Sequence, residues 1–372
     1  MADVRGFHAV RYDPERVDLD AVLAPPYDVL SDEEVARLRE RSPYNVTHLT
    51  RPGGDYERAA RDFRAWLAAG VLREEEQPAF YVHEQQGRRG LLAALRLEPY
   101  ESGTVLPHER THRGPKEDRL ALYRATRAAF EPLWLVYEGT PETRRLLDVG
   151  AAPDLELSGP EGEKNRIWRR EGEDGLSRAF ADLPLLIADG HHRYETALAY
   201  SAETGGGADA ASRFALVLLV DIADPGLLVL PTHRVMRRAP IKVSGGEPQP
   251  SLEATLAAIE GRVAAGYYAG GRFWLIPLEG ELALTELHRQ VIDNLLGKRT
   301  AEEVLLYTRD AAEAVRWVDE GTGEAAFFLP PPDLSAVLKL AREGKTLPQK
   351  STYFYPKPPS GLAMLRLDRD TL

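Results

Sequence analysis

The sequence predicts an α/β protein with a mixed sheet. Three short segments are continuously apolar, namely Pro132–Tyr137, Leu185–Ala188 and Phe214–Val220. Runs of this kind are typical of strands that are covered on both faces. Amphipathic segments with helix-capping residues lie between such runs, which favours layers of helices over the sheet. Because 372 residues exceed the usual size of one hydrophobic core, we expect three segments: 1–100, 101–239 and 240–372.

The first predicted segment, residues 1–100, contains a stiff loop, two helices and a hairpin. A residue that precedes proline prefers extended backbone, so Pro25-Pro26-Tyr27-Asp28 is a loop. Ser31 followed by three acids is typical of a helix N-terminus. The predicted elements are helices from Ser31 to about Glu40 and from Tyr56 to Ala69, and a hairpin of Phe80–His83 and Leu91–Leu97 turning at Gly87–Gly90.

The second predicted segment, residues 101–239, alternates helices with apolar strands. The strand Leu185–Ala188 leads straight into Asp189 and Gly190. A helix from Glu195 to Thr204 ends at the glycine run that begins with Gly205. The other predicted elements are a helix from Asp118 to Phe130 and a buried strand at Leu227–Leu230.

The third predicted segment begins near Pro240 and alternates helices with two strands. A rigid aromatic stretch, Tyr353–Tyr355, lies near its end. The predicted helices are Leu252–Ala264, Glu286–Leu296, Ala311–Val318 and Leu334–Ala341, and the predicted strands are Phe273–Ile276 and Ala325–Leu329.

Composition and charge exclude several classes of function. With 47 basic and 58 acidic residues the net charge is −11, which opposes binding to nucleic acid. The absence of cysteine excludes disulfides, thiolate zinc sites and cysteine nucleophiles. The start of the sequence lacks the apolar run of a signal peptide, and no segment has about 18 uninterrupted apolar residues. We therefore expect a cytoplasmic protein that binds a small molecule; a homo-oligomer is compatible with the sequence.

Asp189-Gly190-His191-His192-Arg193 is the pattern that most strongly predicts a site. A buried strand stops before it, glycine permits unusual backbone angles, and a helix follows. The amides and partial positive charge of a helix N-terminus favour phosphate. His191, His192 and Arg193 add donors, and Asp189 is a candidate ligand for Mg²⁺ that bridges phosphate oxygens. The alternative is a capped, polar helix start with surface histidines.

A zinc site is the rival interpretation of the two histidines. Neighbouring side chains such as His191 and His192 point in different directions, although His191 and Glu195 share one helix face. Without cysteine, zinc would need distant ligands such as His108 or His233. Phosphate binding remains the preferred prediction.

A second candidate group is Leu106-Pro107-His108-Glu109. Pro107 stiffens the backbone before an exposed histidine and glutamate. A glutamate near a phosphate site can accept the proton of an attacking hydroxyl group, and His108 can contribute a donor to phosphate. A solvated, charged loop is the alternative.

Three further motifs are weaker candidates for contacts to phosphate or substrate. His233 and Arg234 follow the predicted strand Leu227–Leu230, and strand ends in α/β sheets gather ligand loops. Lys350 is one of only eight lysines in the chain and precedes Ser351, so a phosphate or substrate contact is predicted there. Tyr27 and Asp28 in the stiff loop are candidates for lining the site. The alternative for all three motifs is ordinary surface or structural polarity.

The string Asp189 to Ala197 resembles the turn and helix start by which the ParB/sulfiredoxin-like superfamily holds nucleotide phosphates. Sulfiredoxins carry Gly-Cys-His-Arg there, ParB proteins carry Gly-Glu-Arg-Arg, and archaeal free-serine kinases carry Asp-Gly-His-His-Arg. Over nearly its full length the chain also resembles a prokaryotic family of unknown function. The residues that carry this second resemblance are Pro25–Asp28, Leu106–Glu109, Asp189–Arg193, Pro231–Arg234 and Leu347–Pro356.

The resemblance implies a ParB/sulfiredoxin-like core and a small-molecule kinase that uses ATP or ADP, or else pyrophosphate, with Mg²⁺. The implied acceptor is free L-serine, giving O-phosphoserine. Glu109 matches the glutamate that serine kinases use as catalytic base, while His191 stands where sulfiredoxin has its cysteine, so sulfinic acid reduction is excluded. A nucleotide-binding regulator of ParB type and a metal-dependent phosphatase remain alternatives.

Overall fold

The computed structural model describes residues 1–109, 113–172, 174–237, 246–296, 300–348 and 350–372. The chain divides into two compact units. Unit 1 comprises residues 1–107, 111–227 and 356–372, and unit 2 comprises 108–110 and 228–355. Residues 1–100 and most of 101–239, predicted as separate segments, are thus in the same unit. The predicted boundary near Pro240 lies outside the described residues.

Helices occur in both units. In chain order they are α1 Leu19–Val22, α2 Asp32–Arg41, α3 Thr47–Thr50, α4 Tyr56–Ala68, α5 Arg113–Thr126, α6 Pro141–Leu146, α7 Asp174–Phe180, α8 His191–Thr204, α9 Leu252–Ile259, α10 Ala283–Leu287, α11 Asp293–Leu296, α12 Ala301–Val304, α13 Ala311–Asp319 and α14 Leu334–Arg342. A π-helical turn, His288–Ile292, joins α10 to α11. The predicted cap of α2 is confirmed, because Ser31 and Glu34 form a reciprocal capping box.

The strands are mostly short. In chain order they are β1 Val4–Arg5, β2 Ala9–Tyr12, β3 Leu72–Glu74, β4 Ala79–Gln85, β5 Arg88–Arg96, β6 Val105–Leu106, β7 Ala128–Ala129, β8 Leu133–Tyr137, β9 Leu155–Ser158, β10 Lys164–Glu171, β11 Leu185–Asp189, β12 Phe214–Asp221, β13 Leu228–Leu230, β14 His233–Met236, β15 Glu247–Gln249, β16 Ala264–Ala269, β17 Arg272–Pro277, β18 Leu305–Thr308, β19 Ala325–Phe328, β20 Tyr353–Tyr355 and β21 Met364–Arg366.

Unit 1 is built on a mixed sheet with the order β6-β11-β8-β12-β5-β4-β10-β9, and β1 pairs with β5. The pairs β11–β6 and β12–β8 are parallel and the others are antiparallel. Every residue of β8 and β12 is buried, which explains the continuously apolar runs Leu133–Tyr137 and 214–220. The predicted α/β class with a mixed sheet is confirmed.

Helices α5 and α8 pack against each other in unit 1. Tyr123 and Tyr200 meet edge to face with ring centroids 5.8 Å apart. Arg124 binds both carboxylate oxygens of Glu203, and Lys116 pairs with Glu195. Tyr194 and Ala197 place one side of α8 in the core of the large sheet. The packing fixes the direction in which the N-terminus of α8 points.

Unit 2 has its own antiparallel sheet, in the order β15-β17-β16-β19-β14-β18, and a separate ribbon of β13 and β20. Helices α9 and α13 pack on the sheet. The hydrophobic core that the helices and the sheet form together includes Val235, Ile259, Leu275, Ala314 and Phe328. Unit 2 therefore has a hydrophobic core of its own.

Several predicted element boundaries are wrong, for local physical reasons. The first hairpin turns at Gln86 and Gly87, both with positive φ, and not at Gly87–Gly90. The helix predicted to end at Phe130 ends at Thr126, because Ala128–Ala129 pairs with β21. The helix predicted from Leu252 to Ala264 ends at Ile259, and Ala264 already belongs to β16.

The prediction of a buried strand at Leu227–Leu230 is also wrong. No residue of β13 is buried: Leu228 is exposed, at 48% of full exposure, and Val229 and Leu230 are half-buried. His233 and Arg234, predicted as a loop after it, instead begin the buried strand β14. An apolar run followed by polar residues predicts a buried strand and then a loop. Which of the two segments is buried depends instead on the strands that pair with each of them.

Among the described residues, none of the helices is both long and apolar enough to cross a membrane.

Candidate functional site

Gly190 connects the buried strand β11 to helix α8. Strand β11 shifts register against β8 between Ile187 and Asp189, so the bulge turns Asp189 at the end of the strand. Gly190 has φ +98°, in the left-handed region that favours glycine. A Cβ atom there would lie 2.9 Å from Leu133 Cδ2 and 3.1 Å from Arg193 Cζ. The turn therefore requires glycine.

Helix α8 begins directly at His191 and has 14 residues. The N-cap residue is Gly190, so no side chain of that residue caps the first amides. The side chain of His191 is buried, whereas that of His192 is partly exposed. The predicted start at Glu195 was too late by one turn. A helix N-terminus that follows a left-handed glycine presents amide donors and partial positive charge to an anion.

Asp189 is bound by two cationic side chains. Arg193 Nη2 lies 2.6 Å from Asp189 Oδ2, and Lys357 Nζ contacts Oδ1. Burial by itself would raise the pKa of Asp189, but the charges of Lys357 and Arg193 outweigh burial and hold the pKa at about 2. Asp189 is thus ionised at neutral pH and holds both cations at the start of α8.

Arg193 joins this turn to the neighbouring strand. Its side chain is buried at 6% exposure, and Nη1 donates to the carbonyl of Pro132 at 2.7 Å. Burial alone would lower the pKa of Arg193, but the charges of Asp189 and Glu131 raise it. The predicted role in neutralising a phosphoryl group therefore competes with a structural one, because the guanidinium already has ordered partners.

The Pro25–Asp28 loop lies beside the Gly190 turn, within the same unit. Burial raises the pKa of the Tyr27 phenol to about 12, although the nearby positive charge of Arg193 acts to lower it. Asp28 is solvent-exposed. Desolvation by nearby protein and the charge of Asp189 raise the pKa of Asp28; water screening limits that shift. The structure therefore brings Tyr27 and Asp28 to the Asp189–Arg193 string.

Two buried charged residues hold the loop in place. Glu131 accepts the backbone N–H of Tyr27 at 2.8 Å and the hydroxyl of Ser360 at 2.6 Å. The Arg119 guanidinium lies 4.1 Å from the centroid of the Tyr27 ring and donates to the carbonyl of Thr50 at 2.7 Å. These contacts order the loop that carries Asp28.

The residues around Gly190 do not form a pre-built metal cage. Both oxygens of Asp189, the predicted Mg²⁺ ligand, are bound by cations. No group of three or more His, Asp or Glu side chains suited to a metal ion occurs among the described residues. Mg²⁺ in phosphoryl-transfer sites is commonly held by one or two carboxylates together with substrate phosphates. The exposed Asp28 suits that mode better than Asp189 does.

His108 and Glu109 lie in unit 2, where they contact the segment around Ser351. Glu109 Oε1 accepts the backbone N–H of Ser351 at 3.0 Å. The Nε2 atom of His108 lies 2.9 Å from the Thr352 hydroxyl, and its carbonyl accepts the N–H of Leu347 at 2.7 Å. His108 is fully buried, contrary to the predicted exposed pair, whereas Glu109 keeps part of its surface exposed.

Arg234 and Lys350 belong to the same group of unit 2. Arg234 is completely buried and donates to the carbonyl oxygens of Thr232 and Lys350. Burial lowers the pKa of Arg234 to about 10, although the charges of Tyr307 and Glu109 act in the opposite direction. The Lys350 ammonium lies 5.2 Å from the centroid of the Tyr307 ring, and its backbone has φ +51°. The two predicted candidates are therefore neighbours.

His233 points away from this group. Successive side chains of a strand face opposite sides, so His233 and Arg234 diverge. The Nδ1 atom of His233 accepts the N–H of Leu329 at 3.3 Å, and its ring meets Phe328 edge to face. Burial and the charge of Arg234 lower the pKa of His233 to about 4. These contacts give His233 a structural role in the core of unit 2.

Sequence reasoning overlooked Lys357 and Glu131. Lysine is scarce in the chain, and the lysine that binds Asp189 is Lys357, between two prolines, and not the predicted Lys350. Glu131 stands between Phe130 and Pro132 in an apolar stretch. A lone acid in such a stretch is a signal for a buried, hydrogen-bonded carboxylate.

The model of the family described as "Protein of unknown function (DUF1015)" matches residues 4–319 of the chain. The chain belongs to this family. The predicted resemblance to a family of unknown function is thereby confirmed over residues 4–319, while membership of the ParB/sulfiredoxin-like superfamily stays a prediction. No curated protein matches the sequence.

Several solved structures share a distant likeness in fold. A free serine kinase in complex with AMP is 15% identical, with 74% of this chain and 86% of that chain covered and a TM-score of 0.39. A conserved hypothetical protein from Pyrococcus furiosus is 18% identical, with 77% and 96% covered and a TM-score of 0.39. SbnI with C-terminal truncation from Staphylococcus aureus is 13% identical, with 71% and 85% covered, again at 0.39. A likeness at this level does not bear on the activity of this chain.

Proposed function

We propose that this protein is a small-molecule kinase that transfers a phosphoryl group from a nucleotide to a hydroxyl group. The observation that carries the proposal is the Gly190 turn, which joins a bulged strand to the N-terminus of α8 beside the buried Arg193 and the partly buried Lys357. A backbone site of this kind suits the phosphates of a nucleotide. Phosphoryl transfer needs mainly positioning and charge stabilisation, which amides and cationic side chains supply.

His192 and Lys357 are the side chains that we expect to meet the phosphates. His192 is partly exposed in the first turn of α8, and Lys357 is held beside the turn by Asp189. His191 and Arg193 are buried and shape the turn. Asp189 then acts by positioning Lys357 and Arg193, and the exposed Asp28 is the carboxylate suited to Mg²⁺ that arrives with the phosphates.

Glu109 is the proposed acceptor of the hydroxyl proton. As the acceptor oxygen forms a bond to phosphorus, the bond from phosphorus to the donor's bridging oxygen breaks, and the released proton passes to the Glu109 carboxylate. Free L-serine is the first acceptor to test, since the Asp189–Arg193 string resembles that of the free-serine kinases.

Phosphorus NMR of the purified protein tests this function. The sample contains Mg²⁺ and L-serine, with ATP, ADP and pyrophosphate supplied in separate experiments. We expect a new phosphomonoester signal in proportion to the donor consumed. If no donor gives a phosphomonoester with serine or with a mixture of amino and hydroxy acids, the kinase proposal fails. Donor binding without turnover would instead favour a nucleotide-binding regulator.

A further inference from the structure

Lys357 is held in unit 1 by its backbone as well as by its ammonium group. The ammonium contacts Asp189, while the backbone carbonyl accepts the side-chain Nε2 of Gln85 at 3.0 Å. Gln85 ends β4 and is buried, at 2% exposure. Pro356 and Pro358, on either side of Lys357, have no backbone N–H to donate. The amide of Gln85 therefore anchors a segment that has few backbone donors of its own.

Arg88 fixes the direction in which the Gln85 amide faces. Its Nη2 atom donates to Gln85 Oε1 at 2.6 Å. A guanidinium has donors and no acceptor, so the amide oxygen must face Arg88 and the amide NH₂ group must face Lys357. Arg88 has 0% exposure, and its Cζ atom lies 4.8 Å from the ring centroid of Trp134. Trp134 stands opposite Asp189 in the pairing of β8 with β11. The backbone anchor of Lys357 and the carboxylate that binds its ammonium are thus tied to the same position of β8.

Glu163 accepts the second hydrogen of the same amide. Its Oε1 atom lies 3.3 Å from Gln85 Nε2, and its Oε2 atom accepts the backbone N–H of Glu161 at 2.9 Å. Gly159 leaves room for this carboxylate, because a Cβ atom at that position would overlap Glu163 Oε1. Both donors and the acceptor of the Gln85 side chain are therefore in use, which holds the amide in one orientation.

We infer that Gln85 is a positioning residue, which together with Arg88 holds the backbone of Lys357 so that its ammonium group stays at the start of α8. Lysine has a flexible four-carbon stem, and a fixed backbone reduces the conformational freedom that is lost when the ammonium binds an anion. Charge that is held in place in advance is what stabilises a transferring phosphoryl group. The inference rests on the proposed function in that the anion is the donor phosphate, whereas the anchoring of Lys357 does not depend on it.

Amine labelling of the full chain without nucleotide tests the anchoring. Acetic anhydride labels the lysines, and mass spectrometry measures the rate at Lys357 relative to the exposed Lys339. Gln85→Glu keeps the size of the side chain and the contact with Arg88, but it turns an oxygen instead of NH₂ toward the Lys357 carbonyl. We expect the relative labelling rate of Lys357 to rise about five-fold or more, which corresponds to the loss of one hydrogen bond. An unchanged rate in a folded Gln85→Glu protein would overturn the inference.

Further variants separate anchoring from a general loss of stability. His83→Gln changes a buried residue of the same strand, whose ring lies 2.9 Å from the side chain of Asn165, and should leave the labelling of Lys357 unchanged. A rise as large as that of Gln85→Glu would show that lost stability exposes Lys357. Arg88→Met removes the donor that orients the amide and should raise the labelling rate, whereas Arg88→Lys keeps a donor and should raise it less. If Gln85→Glu does not fold, the two Arg88 variants decide, and equal rates in both would reject the anchoring.

Donor kinetics test the consequence for the proposed reaction. In Gln85→Glu the ratio kcat/KM for the nucleotide should fall about five-fold or more, and an unchanged ratio beside faster labelling would show that the anchored lysine does not serve the donor. The two proposals can fail separately. Faster labelling of Lys357 in the variant, with no phosphoryl transfer by the unaltered protein, would keep the anchoring and reject the kinase. Phosphoryl transfer with unchanged labelling in the variant would do the reverse.

Discussion

The ammonium of Lys357 contacts Oδ1 of Asp189 across 168 residues of sequence, and both residues belong to unit 1. Arg193 binds the other oxygen of the same carboxylate at 2.6 Å. The carboxylate is therefore the common partner of the buried Arg193 and the partly buried Lys357, at the point where α8 begins. Removal of Asp189 takes away the shared partner of both cations, whereas removal of one cation leaves the carboxylate paired with the other.

A double-mutant cycle on this pair should show strong coupling. Asp189→Asn should lower the free energy of unfolding by about 3 kcal/mol, since it takes the shared carboxylate from two largely desolvated cations. Lys357→Met should lower it by less, about 1–2 kcal/mol, because Arg193 still pairs with Asp189. The double variant should be more stable than the sum of the two losses predicts, by about 1–3 kcal/mol. Urea unfolding followed by circular dichroism measures all three. Strictly additive losses would show that the two side chains do not interact.

The exposed pair Arg51–Asp32 provides the matched control for this cycle. Its N···O distance is 2.7 Å, close to that of Arg193–Asp189, but the Asp32 side chain is 96% exposed. Asp32→Asn should therefore cost less than about 1 kcal/mol.

A second prediction follows from the left-handed backbone conformation of Gly190. Gly190→Ala should destabilise the protein by more than the roughly 1–3 kcal/mol of a strained left-handed residue, because its Cβ also meets Leu133 Cδ2 at 2.9 Å. It should also weaken nucleotide binding, since Gly190 sets the direction of the first amides of α8. Urea unfolding and nucleotide titration are the measurements.

Gly205, at the other end of the same helix, is the control. It has φ +67°, and a Cβ there would meet no atom within 4 Å. Gly205→Ala reports the backbone cost alone and should leave nucleotide binding unchanged. Equal effects of both substitutions on binding would contradict the assignment of phosphates to the Gly190 turn.

Glu109→Gln separates proton transfer from donor binding. In the unaltered protein the backbone N–H of Ser351 donates to Glu109 Oε1 at 3.0 Å. The glutamine amide keeps an oxygen that can accept this hydrogen bond, but it cannot take up the proton of a hydroxyl group. We expect phosphoryl transfer to fall by about 10²-fold or more, while the Kd for the donor changes little. Glu320→Gln, an exposed glutamate of unit 2, should retain full activity. Near-native turnover in Glu109→Gln would remove this residue as the base.

The local parts of the candidate site were predictable from the sequence. A strand that stops at a glycine before two histidines and an arginine encodes the Gly190 turn, because backbone conformation there depends on neighbouring residues. Ser31 and Glu34 likewise encode their capping box locally. The α/β class is predicted from continuously apolar runs, which are typical of strands buried on both faces, and from the amphipathic segments between them.

Features that depend on pairing between distant segments were not predictable. The bond between Lys357 and Asp189 and the burial of His233 in β14 both depend on partners far away in the sequence. Apolar runs alone could not distinguish the exposed β13 from the buried β14, since burial depends on which strand has neighbours on both sides. A single sequence carries no direct signal for such partners.

The last prediction concerns acid stability and rests on His83. The residue lies in β4 opposite Ile167 of β10 and is fully buried, and its Nε2 lies 2.9 Å from Asn165 Oδ1. Burial and then the charge of Arg88 lower the pKa of His83 to about 3, from an ordinary value of 6.5. Above pH 6.5 the imidazole is neutral in both the folded and the unfolded chain. Between pH 6.5 and 3 only the unfolded chain takes up the proton, so folding stability falls with decreasing pH.

One such histidine contributes a slope of about 1.4 kcal/mol per pH unit in that window. His83→Gln should therefore flatten the pH dependence of the free energy of unfolding between pH 6 and 4 by about this amount, whatever it costs in stability at pH 8. Urea unfolding of both proteins at pH 8, 6, 5 and 4 measures the difference, with pH 8 as the internal reference. Parallel pH profiles would mean that His83 takes up its proton equally in both states, which its burial beside Arg88 opposes.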